Sequence, residues 1–416
     1  MVAMLVASGK VEITPEKPMP MAGYALRKGR SVGTLDPLYA KALYLEEERP
    51  AVIISLDLVR VDNELYREIA RKVSEILDLP KESVLVSATH THSGPEVSTS
   101  FWNSVGLDEN EVKLVEEYRN FLVERIGALV ESLQPKSGEL YAGSAEVRGV
   151  SSNRVSEDGP LDRECVFLFS EREAIALNFA CHPTVLPAEN RKFSGDLAGA
   201  IARLFESKFR TAMFLNGAAG NVSTRFTRRA QTPDEVLRLA RLFYEQVAPS
   251  FGRAHRVSGA INVEWRNLKL KLREFPPVET VEKLERDALR RWKESVNAPL
   301  PVRRMLESNY LGVKILKRRL SLLESIESID FRIAKMSIGR DLVALFVPAE
   351  LFVEYQIAVK EASTYRYTML VGYSNGYWGY VPYGETGDST YEMAVSLVHP
   401  DEYDRILETL VELVKK

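Results

Sequence analysis

The chain of 416 residues is 45% hydrophobic and 27% charged, an ordinary globular composition that can bury a substantial core and excludes a disordered chain. A formal net charge of −3, with both signs mixed along the sequence, leaves no electrostatic footprint for nucleic acid or an anionic membrane surface, so the expected partner is a small molecule. Cys165 and Cys181 are the only cysteines; they are too few for a disulfide framework, are not spaced as a zinc ribbon or redox pair, and read as reduced packing residues.

In chain order, residues 1–10 are an apolar run with no basic region ahead of it, shorter than a signal-peptide core, and read as a first β-strand. Residues 41–45, 51–58 and 83–87 are apolar and rich in β-branched side chains, the mark of buried strands. Between them, residues 63–77 carry Leu65, Ile69, Val73, Ile76 and Leu77 at helical spacing, and residues 109–133 repeat the pattern with Leu114, Tyr118, Leu122 and Ile126. Both helices should pack on a sheet. Further strands are expected at 174–180, 211–215 and 342–347. Thr232-Pro233-Asp234-Glu235 reads as a capping-box start to a helix ending near Val247. Residues 276–326 are highly charged and punctuated by leucine, an inserted helical layer with solvated faces that is free to roof a pocket. A final helix spans 402–415, and no apolar stretch approaches the roughly 18 residues of a membrane span.

The expected class is α/β, a mixed β-sheet core flanked by helices, forming one catalytic domain over residues 1–416 with a helical insertion around 276–326. A cytoplasmic address without membrane insertion is expected, and a homo-oligomer is left open.

Chemistry gathers at the strand ends. The strand at 83–87 runs into Ala88-Thr89-His90-Thr91-His92-Ser93-Gly94-Pro95, and ligands of α/β sheets bind at the carboxyl ends of strands. Alternation in an extended segment would put His90 and His92 on one side, although the pair alone reads equally well as surface histidines. A third of the five histidines, His182, follows another strand in Ala180-Cys181-His182-Pro183-Thr184, where proline ends the strand. Neutral imidazole is the commonest zinc ligand, and a catalytic zinc takes three protein ligands plus water. Two histidines still need an acid. His255 and His399 match no motif and read as surface residues.

His90-Thr91-His92-Ser93-Gly94-Pro95, Cys181-His182-Pro183-Thr184, Gly220-Asn221-Val222-Ser223, Pro348-Ala349-Glu350 and Gly372-Tyr373-Ser374-Asn375 followed by Tyr380-Val381 occur in this order. Together they resemble the motifs of the neutral/alkaline, non-lysosomal ceramidases, over most of the chain from Met21-Ala22-Gly23-Tyr24 to Tyr391. The resemblance implies one zinc ion per chain, held by His90, His182, Glu350 and Tyr380. Read without it, Glu350 has a helix-start carboxylate as its alternative, and Tyr380 is one more packed aromatic. The family's catalytic hexapeptide, Gly-Asp-Val-Ser-Pro-Asn, is matched by Gly220-Asn221-Val222-Ser223-Thr224-Arg225: the serine is kept, asparagine replaces aspartate, and Thr-Arg replaces Pro-Asn. Ser223 is thus nucleophile, substrate anchor or scaffold. Arg154 matches an arginine that holds the polar part of the substrate, and Tyr391 a second tyrosine beside the metal.

Such a site implies a zinc-dependent hydrolase in which metal-bound hydroxide attacks a carbonyl carbon, zinc and Tyr391 stabilise the oxyanion, and His92 with Arg154 orients the substrate or relays a proton. Amide hydrolysis of a small or N-acyl substrate is the first expectation. Because the chain ends in a helix with no C-terminal β-sandwich domain, ceramide itself is not the expected substrate. Cleavage of a carbon–carbon bond in a cyclic diketone of carbohydrate or inositol catabolism is the alternative, and a non-catalytic metal-binding module the third.

Overall fold

The computed structural model describes residues 4–25, 27–99, 106–323, 326–384 and 390–415. The expected N-terminal strand is found at Leu5–Glu12, and its first three predicted residues lie outside the described ones.

The described residues form three larger sheets on one plan, antiparallel strands ending in a single parallel pair. In the first sheet Pro50–Leu56 runs parallel to Val84–Ala88. The second pairs Ala174–Phe179 with Thr211–Asn216, and the third pairs Leu342–Phe346 with Tyr367–Val371. A parallel pair requires a crossover, and each has a helix for it: Asn63–Leu77, Asp196–Phe205 and Val353–Ala362. Three βαβ units are therefore gathered in one molecule.

Side-chain alternation explains how the sheets pack. Val52, Ile54 and Leu56 share a core with Leu65, Ile69 and Val73 of the first crossover helix. The intervening Ile53, with Leu85, meets Met213 and Leu215 of the second sheet and Ala344 and Phe346 of the third. The second sheet likewise turns Phe167, Ile175, Leu177 and Phe214 toward the helices Asp196–Phe205 and Pro233–Val247. Each sheet has helices outside and another sheet inside, so its central strands are buried on both faces and read as continuous apolar runs. Full burial of each large aliphatic side chain contributes about 1.5–3 kcal/mol.

Polar groups join the sheets where the parallel strands end. The Gly372 amide donates to the Asn216 carbonyl (2.9 Å) and the Asn375 amide to the Val86 carbonyl (2.8 Å). The Asn216 side chain donates to the Thr89 carbonyl (3.2 Å). The carboxyl ends of six strands from three sheets are thus pinned around one point.

The helix at Asn63–Leu77 has the expected bounds, capped by Asp62, whose carboxylate accepts from the Leu65 amide. The helix expected at 109–133 spans Glu109–Glu131. Its start carries a full capping box, Asp108 with Glu111, whereas the one expected at Thr232 is half-formed. Thr232 accepts from the Glu235 amide, but the Glu235 carboxylate is taken by Arg238 and the Arg229 amide. The charged segment forms two helices, Val278–Glu294 and Leu300–Leu323, and the chain closes with Tyr403–Lys415. No helix among the described residues is long and apolar enough to cross a membrane. Both cysteines are free and buried.

Candidate metal centre and its pocket

Each parallel pair contributes to one buried cluster. After Val84–Ala88 come His90 and His92; after Ala174–Phe179 comes His182; after Leu342–Phe346 comes Glu350; and after Tyr367–Val371 come Tyr373, Tyr377 and Tyr380. The expected extended geometry at His90 is corrected: the strand stops at Ala88, and His90 is left-handed, with φ of 67°. This turn, held by the His90 amide donating to the Leu58 carbonyl (2.9 Å), sets His90 and His92 edge to face, with ring centroids 4.8 Å apart.

The tautomers follow from the main chain. His90 Nδ1 lies 2.5 Å from the Val59 carbonyl oxygen, and His182 Nδ1 lies 2.5 Å from that of Ala219. A carbonyl only accepts, so each Nδ1 carries a proton, and in the neutral imidazole Nε2 then presents a bare lone pair. Those two Nε2 atoms stand 2.9 Å apart, and His92 Nε2 is 3.2 Å from that of His90. Glu350 Oε2 lies 3.3 Å from His90 Nε2 and 3.1 Å from His182 Nε2, and the Tyr380 hydroxyl is 3.4 Å from His182 Nε2. His90, His182, Glu350 and Tyr380 are 2%, 0%, 2% and 5% exposed, so water cannot insulate these electron-rich atoms from one another.

Burial disfavours protonation at two of the three imidazoles. Burial pushes the His182 imidazole down to about 3, with the charge of Arg154 acting in the same direction, and burial foremost holds His92 well below its usual value. Glu350 Oε2 has no hydrogen-bond partner among the described residues, an expensive state for a buried carboxylate oxygen. A cation removes every one of these conflicts. Donors about 2.0–2.1 Å from a tetrahedral ion lie roughly 3.3 Å from each other, the spacing seen here. His90, His92 and His182 meet the geometry of a metal site, beside a cavity of about 50 Å³ lined by His90, His92, Glu350, Tyr380 and Tyr391. The residues fit a metal.

Glu350 is not a helix-start carboxylate. It lies in the short strand Glu350–Leu351, paired in register with Tyr380–Val381 so that Glu350 faces Tyr380, while the helix begins only at Val353. The Tyr377 hydroxyl donates to Glu350 Oε1, and the Tyr373 ring stacks on His90 at 4.0 Å. Arg154 donates from Nη2 to the Tyr380 oxygen (2.9 Å) and from Nε to Glu392 Oε1 (2.8 Å). Burial opposes the Arg154 charge, but Tyr380 and Glu392 outweigh it and hold the guanidinium protonated. Sequence reasoning missed the roles of Tyr377 and Glu392; their only signal is adjacency to Tyr380 and Tyr391.

The remaining expected residues line a cavity of about 580 Å³ in front of the cluster, where His92, Arg154, Tyr380, Tyr391 and Ser223 share one wall. Tyr391 opens the helix Tyr391–Val395, its ring 5.7 Å from Tyr380 and edge-on. Ser223 is buried, and its hydroxyl accepts from the Arg225 amide (3.2 Å). Asn221 is tied into scaffold: its side chain accepts from the Val353 amide and donates to Glu354, both at 2.8 Å, and its carbonyl accepts from the Arg154 amide (2.7 Å). The charged helix Leu300–Leu323 does roof this pocket, through Arg304, Glu307, Ser308 and Leu311. His255 and His399 take no part.

Three imidazoles, a carboxylate and a phenol converging at the carboxyl ends of parallel strands define an α/β protein with a buried centre compatible with a metal ion. Residues 4–158 match the family described as neutral/alkaline non-lysosomal ceramidase, N-terminal, in agreement with the resemblance carried by the motifs. The neutral ceramidase of Pseudomonas aeruginosa is 27% identical over 156 residues, covering 35% of this chain and 22% of that protein's length. The match therefore spans about a fifth of this curated relative. The crystal structure of neutral ceramidase from the same organism superposes with a TM-score of 0.71 at 20% identity, over 100% of this chain and 74% of that one. A ceramidase complexed with C2 gives 0.71 at 19% identity, over 100% and 75%. The fold of the whole chain is that of these proteins.

Proposed function

We propose that this chain is a zinc-dependent hydrolase acting on an amide, with His90, His182, Glu350 and Tyr380 holding the ion. The observation that carries the reading is the convergence of the His90 and His182 Nε2 atoms and a carboxylate oxygen without a hydrogen-bond partner among the described residues on one buried point. Nitrogen and oxygen donors in this number suit zinc.

The bound ion would supply a Lewis acid and a water of lowered pKa. The chain's own groups do the rest. His90 and His182 donate through Nδ1 to main-chain carbonyls, the support that metal-ligating imidazoles usually have. His92 differs, because its Nδ1 is buried without a partner among the described residues. We assign it to proton transfer rather than to the ion, with Nε2 facing the reacting centre. Arg154 fixes the Tyr380 oxygen and faces the cavity, placed to orient a substrate carbonyl. Burial pushes the Tyr391 phenol up to about 12, so it stays protonated and donates to the oxyanion. Ser223, on the same wall, anchors the polar end of the substrate.

Hydrolysis of a carbon–carbon bond in a cyclic diketone remains the second reading, favoured by the arginine, serine and glutamate side chains in the pocket wall. A purely binding role is disfavoured by the full set of polar groups around the cluster. The test is metal analysis of the purified chain, then turnover of small N-acyl amines and cyclic β-diketones with and without chelator. One equivalent of zinc and chelator-sensitive amide cleavage are expected, both lost in His182→Ala. Full activity in that variant would falsify the proposed site.

A further inference from the structure

The cavity in front of the metal cluster is basic out of proportion to the chain. Arg27, Lys28, Arg191, Arg225, Arg228 and Arg304 line it together with Arg154, against Glu189, Glu307 and Glu392, in a protein whose net charge is negative. Glu392 is already paired with Arg154. None of the other six cations forms an ion pair among the described residues.

The bonds that four of the arginines make go to main-chain carbonyls and hydroxyls, not to carboxylates. Arg27 donates to the carbonyls of Ala22, His92 and Ala188; Arg191 donates to that of Arg30; Arg225 donates to the Arg154 carbonyl and the Ser308 hydroxyl; and Arg228 donates to the Thr184 carbonyl and the Thr224 hydroxyl. The Arg304 side chain bonds to nothing among the described residues. Arg27, Arg228 and Arg304 all lie close enough to act on the Tyr24 phenol. Arg225 is pushed down to about 10 by burial, with the Arg154 charge adding to it. Like charges gathered in a concave, partly dehydrated wall repel each other and focus a positive potential on its mouth.

Resting on the hydrolase reading, we infer that the substrate of this site carries a compact oxyanion, a carboxylate or a phosphate, seated among Arg225, Arg228 and Arg304 while its scissile carbonyl faces the metal cluster. A guanidinium fork recognises both groups. A neutral N-acylated amino alcohol, the headgroup chemistry of a ceramide, leaves these charges unanswered. The aliphatic side chains of the lining are Ala25, Ala188 and Leu311, and they offer no partner to a charged group.

The experiment compares three ligands that share an acetamide and differ in the far group: N-acetylglycine, N-acetylphosphoethanolamine and the neutral N-acetylethanolamine. Binding to the metal-loaded full chain is measured by calorimetry, alongside turnover. At least one anionic ligand is expected to bind about tenfold tighter than the neutral one, the effect of a single charge-assisted hydrogen bond, and the better of the two names the oxyanion. The preference should shrink in high salt and fall severalfold in Arg228→Gln and in Arg304→Gln. Arg304 lies on the outer helix with its side chain unbonded, so its variant tests the claim even if the Arg228 variant misfolds. Equal binding of all three ligands, or a preference unchanged in both variants as when the anion sits on the metal alone, overturns the inference. Amide hydrolysis without charge preference removes this inference and keeps the hydrolase; arginine-dependent anion preference in a chain that holds no metal and cleaves no amide does the reverse.

Discussion

His182 Nε2 and Glu350 Oε2 stand 3.1 Å apart with no proton to join them, because His182 spends its proton at Nδ1 on the Ala219 carbonyl. Two electron-rich atoms held so close in a dry interior store repulsion that a bound cation converts into attraction. The surrounding contacts then acquire definite and measurable roles.

Tyr377 steadies the carboxylate through its bond to Glu350 Oε1. Replacing it as Tyr377→Phe removes the donor and keeps the ring. Metal affinity should fall by about 10- to 100-fold, the usual effect of losing a group that orients a ligand. Competition against a chromophoric chelator measures this, and unchanged affinity would show that the tyrosine merely packs.

Gly220 lies against the main chain of the strand Glu350–Leu351. A Cβ there would sit 2.6 Å from the Glu350 carbonyl oxygen and 2.8 Å from that of Leu351, main-chain atoms that no rotamer change can move aside. Gly220→Ala should cost about 1–3 kcal/mol through overpacking and break the Gly220 amide to Leu351 carbonyl bond (2.8 Å). Denaturant melts and metal content are the readouts. A variant with wild-type stability and full metal loading contradicts the close approach.

Asn221 stands where the ceramidase motif has aspartate, and Glu354 gives the reason. The amide donates to the Glu354 carboxylate at 2.8 Å, so Asn221→Asp would set two carboxylates face to face. A loss of about 1–3 kcal/mol is expected at pH 8, shrinking at pH 5 as the pair takes up a proton. If the loss is as large at pH 5 as at pH 8, charge repulsion is not its cause.

Asp196 makes stability depend on pH. Burial raises its carboxyl from the usual 3.8 to about 7, against the opposing amides of Leu186, Leu197 and Val185. The folded state thus binds this proton more tightly than the unfolded one. Its contribution is complete below pH 3.8 and is lost as pH rises through about 7. Asp196→Asn has no such titration, so the stability of the wild type relative to this variant should fall by about 3 kcal/mol between pH 4 and pH 7. A difference that stays flat, or rises, excludes the raised carboxyl.

Local signals made part of this molecule legible. The helix at Asn63–Leu77 was readable because an Asp62 cap and a stripe of Leu65, Ile69 and Val73 sit inside it. The histidines stood out because imidazoles ended two apolar strands. The division into three sheets was hidden, since Ile53 and Ile54 face different cores and both look equally apolar in sequence. His90 was misjudged because nothing local announces a left-handed residue after Ala88. Tyr377 and Glu392 were passed over because each acts through a partner elsewhere, Glu350 at 27 residues and Arg154 at 238.

The aim of His90 and His182 depends on carbonyl oxygens at Val59 and Ala219, groups that every amino acid supplies. Mutation at those two positions leaves the acceptor in place, and mutation of the pocket wall does not reach it. On the proposed reading, the pocket wall can therefore change, one arginine or serine at a time, without disturbing the tautomers of the two histidines.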